Sequence, residues 1–241
     1  MTVAGYLFDY GGTLDTAGTH WARVLWHACE RHQLPFGWPQ FSEAYVHVER
    51  LLGSQPVIRP EDTFHDTLQK KISLELDYLA PLCTGLDLRQ VADDLLDDVY
   101  ARTEAQTALS RRVLEQLAAR VPLVLVSNFY GNLSVVLQEF RLNDLFHDVI
   151  ESAVVGIRKP DVRIFELGLR ALGCEPEEAV VVGDSVKNDI RPAHQLGCQT
   201  VWFQESGVRR LESGDRSQES CPLPPEADRV IHDLKELTLD L

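Results

Sequence analysis

The chain has 241 residues, 44% hydrophobic and 25% charged, with a formal net charge of −14. That composition belongs to an ordinary globular protein with room for a full core and one accessory domain. The acidic balance argues against a nucleic-acid or anionic-membrane surface, and no apolar run approaches the ~18 residues of a membrane span.

Met1-Thr2-Val3 lacks a basic leader followed by an apolar stretch, so no signal peptide is expected. Residues 3–9 are a short apolar run bounded by glycines, which suits a buried central strand ending on Asp9. From residue 16 to 104 the character becomes helical. Trp21, Val24, Leu25, Ala28 and His32 share one spacing; Phe41, Ala44, Tyr45, Val48 and Leu52 share the next, stopped by Gly53. Asp62 is expected to cap a third helix carrying Phe64, Leu68, Ile72, Leu76 and Leu79. Asp87 is expected to cap a fourth with Leu88, Val91, Leu95 and Val99. Four helices without an intervening strand read as a helical domain inserted after the first strand. The pairs Asp93-Asp94 and Asp97-Asp98 read as a solvated helix face, and Lys70, Lys71 and Lys187 as surface lysines.

Beyond residue 110, helices and strands alternate. A short helix with Val113, Leu114 and Leu117 leads to the strand 122–127, which ends on Ser127. A helix with Leu133, Val136, Leu137 and Phe140 follows, then a short edge strand at 148–151. Pro160 and Asp161 open a helix stopped by Gly173. The apolar strand 179–183 ends on Asp184, a helix runs to Leu196, and residues 199–203 form the next strand. Residues 204–226 read as a long loop before a last strand at 229–231 and a helix from Asp233 to Leu239. Five cysteines (Cys29, Cys83, Cys174, Cys198, Cys221) show no C-x-x-C pairing. Reduced thiols and a cytoplasmic location are therefore expected.

Apolar, non-alternating strands joined through helices mean a parallel sheet covered on both faces, with ligands beyond its C-terminal strand ends. Asp9, Ser127 and Asp184 all fall at such ends, and that convergence points to a site.

Four motifs in order carry a family resemblance. They are Asp9-Tyr10-Gly11-Gly12-Thr13; Ser127, followed by Asn128; Lys159, followed by Pro160; and Gly183-Asp184 with Asp189. The chain resembles the haloacid dehalogenase-like hydrolases. The resemblance implies an α/β fold: a Rossmann-like parallel core (1–15 and 105–241) with an inserted α-helical C1-type cap (16–104). It implies Asp9 as nucleophile, forming an aspartyl-phosphate, with Lys159 as the fixed cation. Ser127, Asn128, Gly12 and Thr13 would hold phosphate. Mg²⁺ would sit on Asp9, Asp184, Asp189 and the Gly11 carbonyl, and the substrate would be a small phosphorylated molecule. Neither nucleic acid nor membrane is expected as a partner.

One position departs from the family pattern: Gly11 stands where phosphatases of this family carry a general-acid Asp. Such a group is worth ~10²–10⁴-fold in rate. Three readings follow: an easy leaving group; an acid from elsewhere, with Asp15, His20 or His65 as candidates; or a weak or inactive phosphate binder. Dehalogenase- or phosphonatase-type chemistry, which does not need that Asp, ranks lower. His20, Trp21, Arg59 and His65 lie where a cap would set specificity.

Overall fold

The computed structural model describes residues 3–205 and 224–238. Six parallel strands form one sheet in the order β3-β2-β1-β4-β5-β6. They are β1 (Gly5–Phe8), β2 (Leu123–Ser127), β3 (Asp148–Glu151), β4 (Ala179–Gly183), β5 (Gln199–Phe203) and β6 (Arg229–Ile231). The strands leading to Asp9, Ser127 and Asp184 are thus three adjacent interior ones. Successive residues in a strand face opposite sides. Tyr6, Phe8, Leu123, Leu125, Val180 and Val182 enter the larger apolar core, while Leu7, Val124, Val126 and Val181 enter a second one with Ile164, Phe165 and Leu169. Both faces are covered, as continuous apolar strands require.

Four helices separate β1 from β2: α1 (Trp21–Arg31), α2 (Trp38–Ser54), α3 (Phe64–Leu79) and α4 (Leu88–Ala118). The last corrects the sequence reading. The expected fourth helix and the short helix at Val113–Leu117 are one 31-residue helix. No Gly or Pro interrupts 88–118, so nothing breaks its ladder. A boundary at residue 104 therefore falls inside an element.

Asp87 caps α4, accepting from the Arg89 and Gln90 N–H groups. Asp62 does not cap α3. Thr63 does, with Asp66 completing a reciprocal capping box. The Asp62 carboxylate instead accepts the Arg59 N–H and pairs with Lys70. Lys71 is not a surface lysine: it is buried, paired with Glu49 at 2.5 Å, its ammonium 4.4 Å from the Tyr45 ring centre. Asp93, Asp94 and Asp97 are exposed, as is Lys187, while Asp98 pairs with Arg31 and Arg102.

After β2 come α5 (Leu133–Glu139), α6 (Ser152–Val155), α7 (Arg163–Leu172) and α8 (Arg191–Leu196). The first of these covers the face shared with the helical insert through Leu133, Val136 and Leu137. Gly173, as expected, stops α7 in the left-handed conformation, and Gly197 stops α8 in the same way. α7 starts at Arg163, later than Pro160. The stretch expected as one helix after Asp184 begins with a π-type turn over Val186–Ile190, where the Ile190 N–H reaches the Ser185 carbonyl. Pro192 has no N–H to offer the carbonyl four residues back, which disfavours a regular first turn. The segment from Asp233 is a short 3₁₀ turn, Leu234–Thr238. Most of the expected 204–226 loop, Cys221 included, lies outside the described residues.

Candidate active site

The ends of β1, β2 and β4 place their polar residues around one point. Asp9 Oδ1 accepts from Ser127 Oγ at 3.1 Å and from Lys159 Nζ at 2.7 Å; Thr13 Oγ1 donates to Oδ2 at 3.1 Å. Lys159 Nζ also reaches Asp189 Oδ1 at 2.6 Å. Asp9, Asp184 and Asp189 each offer an oxygen within 4.8 Å of the others. Backbone geometry fixes this packing. A Cβ at Gly12, whose φ is +101°, would stand 2.5 Å from Asp184 Oδ2, and one at Gly183 would stand 2.5 Å from Asp189 Cβ. Only glycine allows the strand ends to approach this closely.

The residues around this centre serve as supports. Asn128 clamps the Lys159 backbone, its amide donating to the carbonyl at 3.2 Å and accepting from the N–H at 2.9 Å. Thr13 Oγ1 accepts the Asp184 N–H at 3.1 Å, and the Ser185 N–H holds Asp189 Oδ2 at 3.0 Å. Trp202 Nε1 donates to the Asp184 carbonyl at 2.8 Å. The Gly12 N–H donates to Asp15 Oδ1 at 2.7 Å. Gly12 and Thr13, expected at the phosphate, thus spend these groups on holding the loop and the carboxylates.

Burial alone would depress the Lys159 ammonium, but the Asp189 and Asp9 carboxylates outweigh it and raise its pKa. Burial, then the charges of Asp9 and Asp189, pushes Asp184 well above the ordinary carboxylate range. Burial raises Asp189 to about 6 against the pull of Lys159. Three carboxylates thus face one ammonium, and among the described residues no cation pairs with Asp184. An all-oxygen donor set short of positive charge fits a hard divalent cation.

Each of the three candidate acids has contacts of its own. Asp15 is buried and raised to about 7 by that burial; its two oxygens accept the Gly12 N–H and the Trp21 indole N–H. His20 caps α1, its Nδ1 accepting the Ala22 N–H. The His65 ring lies edge-on to Tyr100 at 5.2 Å. Arg59 is exposed. The sequence reading did not find Trp202 as a support or Trp21 as the partner of Asp15. The Asp three positions after Gly12 was a legible signal for a local side-chain-to-backbone bond.

Curated relatives match this chain over parts of their length. A glyceraldehyde 3-phosphate phosphatase of Pyrococcus furiosus is 43% identical over 97 residues, 40% of this chain and 37% of the relative. A phosphoserine phosphatase of Thermus thermophilus is 40% identical over 96 residues, 39% of this chain and 33% of the relative. A haloacid dehalogenase-like hydrolase domain-containing protein 3 of Mus musculus is 36% identical over 149 residues, 61% and 59% of the two chains. The chain therefore spans about a third to three fifths of the length of these relatives. Among solved structures, a dehalogenase with an intermediate complex superposes with a TM-score of 0.65 at 17% identity, covering 100% of this chain and 97% of that one. A HAD phosphatase from Thermococcus onnurineus gives 0.54 at 24% identity, with 100% and 97% coverage. These likenesses bear on the fold: the six-stranded parallel sheet with its helical insert is the Rossmann-like arrangement they share. The family model for haloacid dehalogenase-like hydrolases matches residues 3–197, and the chain belongs to that family.

Proposed function

We propose that this protein is a Mg²⁺-dependent hydrolase of a small phosphorylated molecule, acting through an aspartyl-phosphate on Asp9. One observation carries the reading: the buried Asp9 carboxylate, a buried ammonium and two further carboxylates converge at the C-terminal ends of parallel strands. Asp9, Asp184, Asp189 and the Gly11 carbonyl would hold the metal, which when bound supplies positive charge against the phosphoryl oxygens. Two phosphatases among the partial relatives support phosphorus as the centre attacked.

In this reading Asp9 attacks phosphorus, and the leaving group departs with the electron pair of its P–O bond. Lys159 stays charged between Asp9 and Asp189, orients the nucleophile and offsets charge on the transferring group. Ser127, through its hydroxyl, and Asn128, through its backbone N–H, would take phosphate oxygens. Residues 16–104 would act as the cap that sets specificity, and the free thiols of Cys29, Cys83, Cys174 and Cys198 support a reducing, cytoplasmic setting. A second reading, a phosphate binder without turnover, is favoured by Gly11 alone.

The test is hydrolysis of acetyl phosphate, p-nitrophenyl phosphate and a sugar phosphate with and without Mg²⁺. Turnover is expected, lost by ~10³-fold or more on adding EDTA or in Asp9→Asn. Phosphate or beryllofluoride binding without turnover on any of the three would establish the binder instead.

A further inference from the structure

The backbone does not require glycine at position 11. A Cβ placed there meets only Trp21 Cδ1 and Nε1, each at 3.8 Å, an ordinary contact, and φ is not in the left-handed region. Gly12 and Gly183, by contrast, are forced. Position 11 thus has room for a side chain and has none, and what lies beside that room is an indole.

The indole is held in place. Trp21 is the first residue of α1, and its Nε1–H donates to Asp15 Oδ2 at 2.9 Å. The other Asp15 oxygen takes the Gly12 N–H, so one buried carboxylate joins the ring to the loop that carries Gly11. Phe64 packs on Trp21 with ring centres 5.6 Å apart, backed by Phe140 at 5.3 Å from Phe64. The one polar atom of the indole is spent on Asp15. Among the described residues, this side of the site therefore presents the Cδ1–Nε1 edge of an indole whose polar atom is already engaged.

We propose that Trp21 is a specificity-determining residue and Asp15 its positioning residue. Together they select phosphoryl compounds whose leaving oxygen sits on a planar carbon and departs as a stable anion, namely aryl and acyl phosphates. This rests on the catalytic reading of Asp9 given above. The bond balance is closed without an acid. The Asp9 Oδ–P bond forms as the P–O bond to the leaving group breaks, and the electron pair leaves on that oxygen, unprotonated. Water then attacks phosphorus, the Asp9–P bond breaks to return the carboxylate, and both hydrogens of the water leave on the inorganic phosphate. The planar group packs against the indole edge as the aspartyl-phosphate forms.

The test is a series of substituted phenyl phosphates with leaving-group pKa from about 4 to about 10, plus a sugar phosphate, at saturating Mg²⁺. For the wild type, kcat/KM should fall steeply along the series, by several-fold per pKa unit, and the sugar phosphate should be ~10²-fold or more poorer than p-nitrophenyl phosphate. Gly11→Asp should flatten the slope. Trp21→Ala should raise KM for the phenyl esters by roughly fivefold while acetyl phosphate changes less. A readout free of turnover accompanies these: phenylphosphonate should quench tryptophan fluorescence in the wild type, and the quench should be lost in Trp21→Phe and weakened in Asp15→Asn. A shallow wild-type slope, with sugar and aryl phosphates turned over alike, would overturn this proposal and leave the hydrolase reading standing; the slope needs no variant to fold. Absence of turnover on every compound, with or without Mg²⁺, would overturn the hydrolase reading and this proposal with it.

Discussion

Two adjacent glycines do opposite things at the end of β1. At position 12 a methyl group would meet the Asp184 carboxylate at 2.5–2.7 Å on a backbone with φ +101°. At position 11 it would touch only the edge of Trp21. Gly12→Ala is expected to cost about 2 kcal/mol or more of stability, through strain and displaced Asp184, while Gly11→Ala stays within about 0.5 kcal/mol of wild type. Urea midpoints at constant slope measure both, and equal losses in the two variants would refute the distinction. The residues converging on the site were legible because each ends a strand: Asp9, Ser127 and Asp184 needed only the run of apolar residues before them. Lys159 and Asp189 were legible through the motif. The links between Asp15 and Trp21, and between Trp202 and Asp184, were not. They depend on which way a side chain turns out of a loop or an edge of the sheet, and hydrophobic periodicity carries no such information.

The third helix shows how far periodicity reaches at the level of an element. Leu68, Ile72, Leu76 and Leu79 were readable as its apolar stripe, and all four are buried. Lys71 and Glu75, on the same helix, are buried too, because α3 packs on both α2 and α4 and so hides more than one stripe. A one-stripe reading leaves such residues in solvent. Glu75 is the more exacting case. Burial pushes its carboxyl from 4.5 to about 8, above the lowering effect of Lys71, and one oxygen has no hydrogen-bond partner. Glu49, paired with Lys71 and with the Tyr130 hydroxyl, adds a like charge nearby. The folded-state pKa lies above the unfolded one, so between pH 4.5 and about 8 the unfolded chain binds fewer protons. Stability therefore falls as pH rises through that window, by at most about 5 kcal/mol, and levels off above it. Glu75→Gln should remove this slope and make the protein more resistant to urea at pH 8.5 than wild type. Parallel pH profiles for the two proteins would show that Glu75 is ionised in the fold.

At the scale of the whole molecule, the Rossmann-like parallel sheet and the helical insert were expected, but neither the strand order nor how firmly the insert is joined to the sheet. The expected division at residue 104 lies within α4, which runs unbroken from beside α1 to the strand β2 that it precedes. Further ties cross the same divide. Glu139, at the end of α5, accepts the Phe64 and His65 N–H groups and the Tyr100 hydroxyl, so a core side chain serves the N-terminus of α3. The buried Asn132 amide donates to the Asp62 carbonyl and to Thr67 Oγ1. These are contacts between residues far apart in sequence, invisible to any local pattern, and they couple the insert to the sheet through groups whose loss leaves buried polar atoms unpaired. Separate unfolding of residues 16–104 would have to break them and split a continuous helix. The expected outcome is one cooperative urea transition. Three of the four tryptophans, Trp21, Trp26 and Trp38, lie in the insert, whereas the far-UV signal sums the helices of the insert with the strands and α5–α8 of the core. Fluorescence and circular dichroism should therefore give coincident curves with one midpoint. Glu139→Ala should cost about 1–3 kcal/mol of stability through the lost cap and its charge-assisted bonds, lowering that midpoint without separating the curves. A fluorescence transition resolved below the dichroism transition in the wild type would mean that the insert melts alone and that α4 breaks where the chain was first expected to divide.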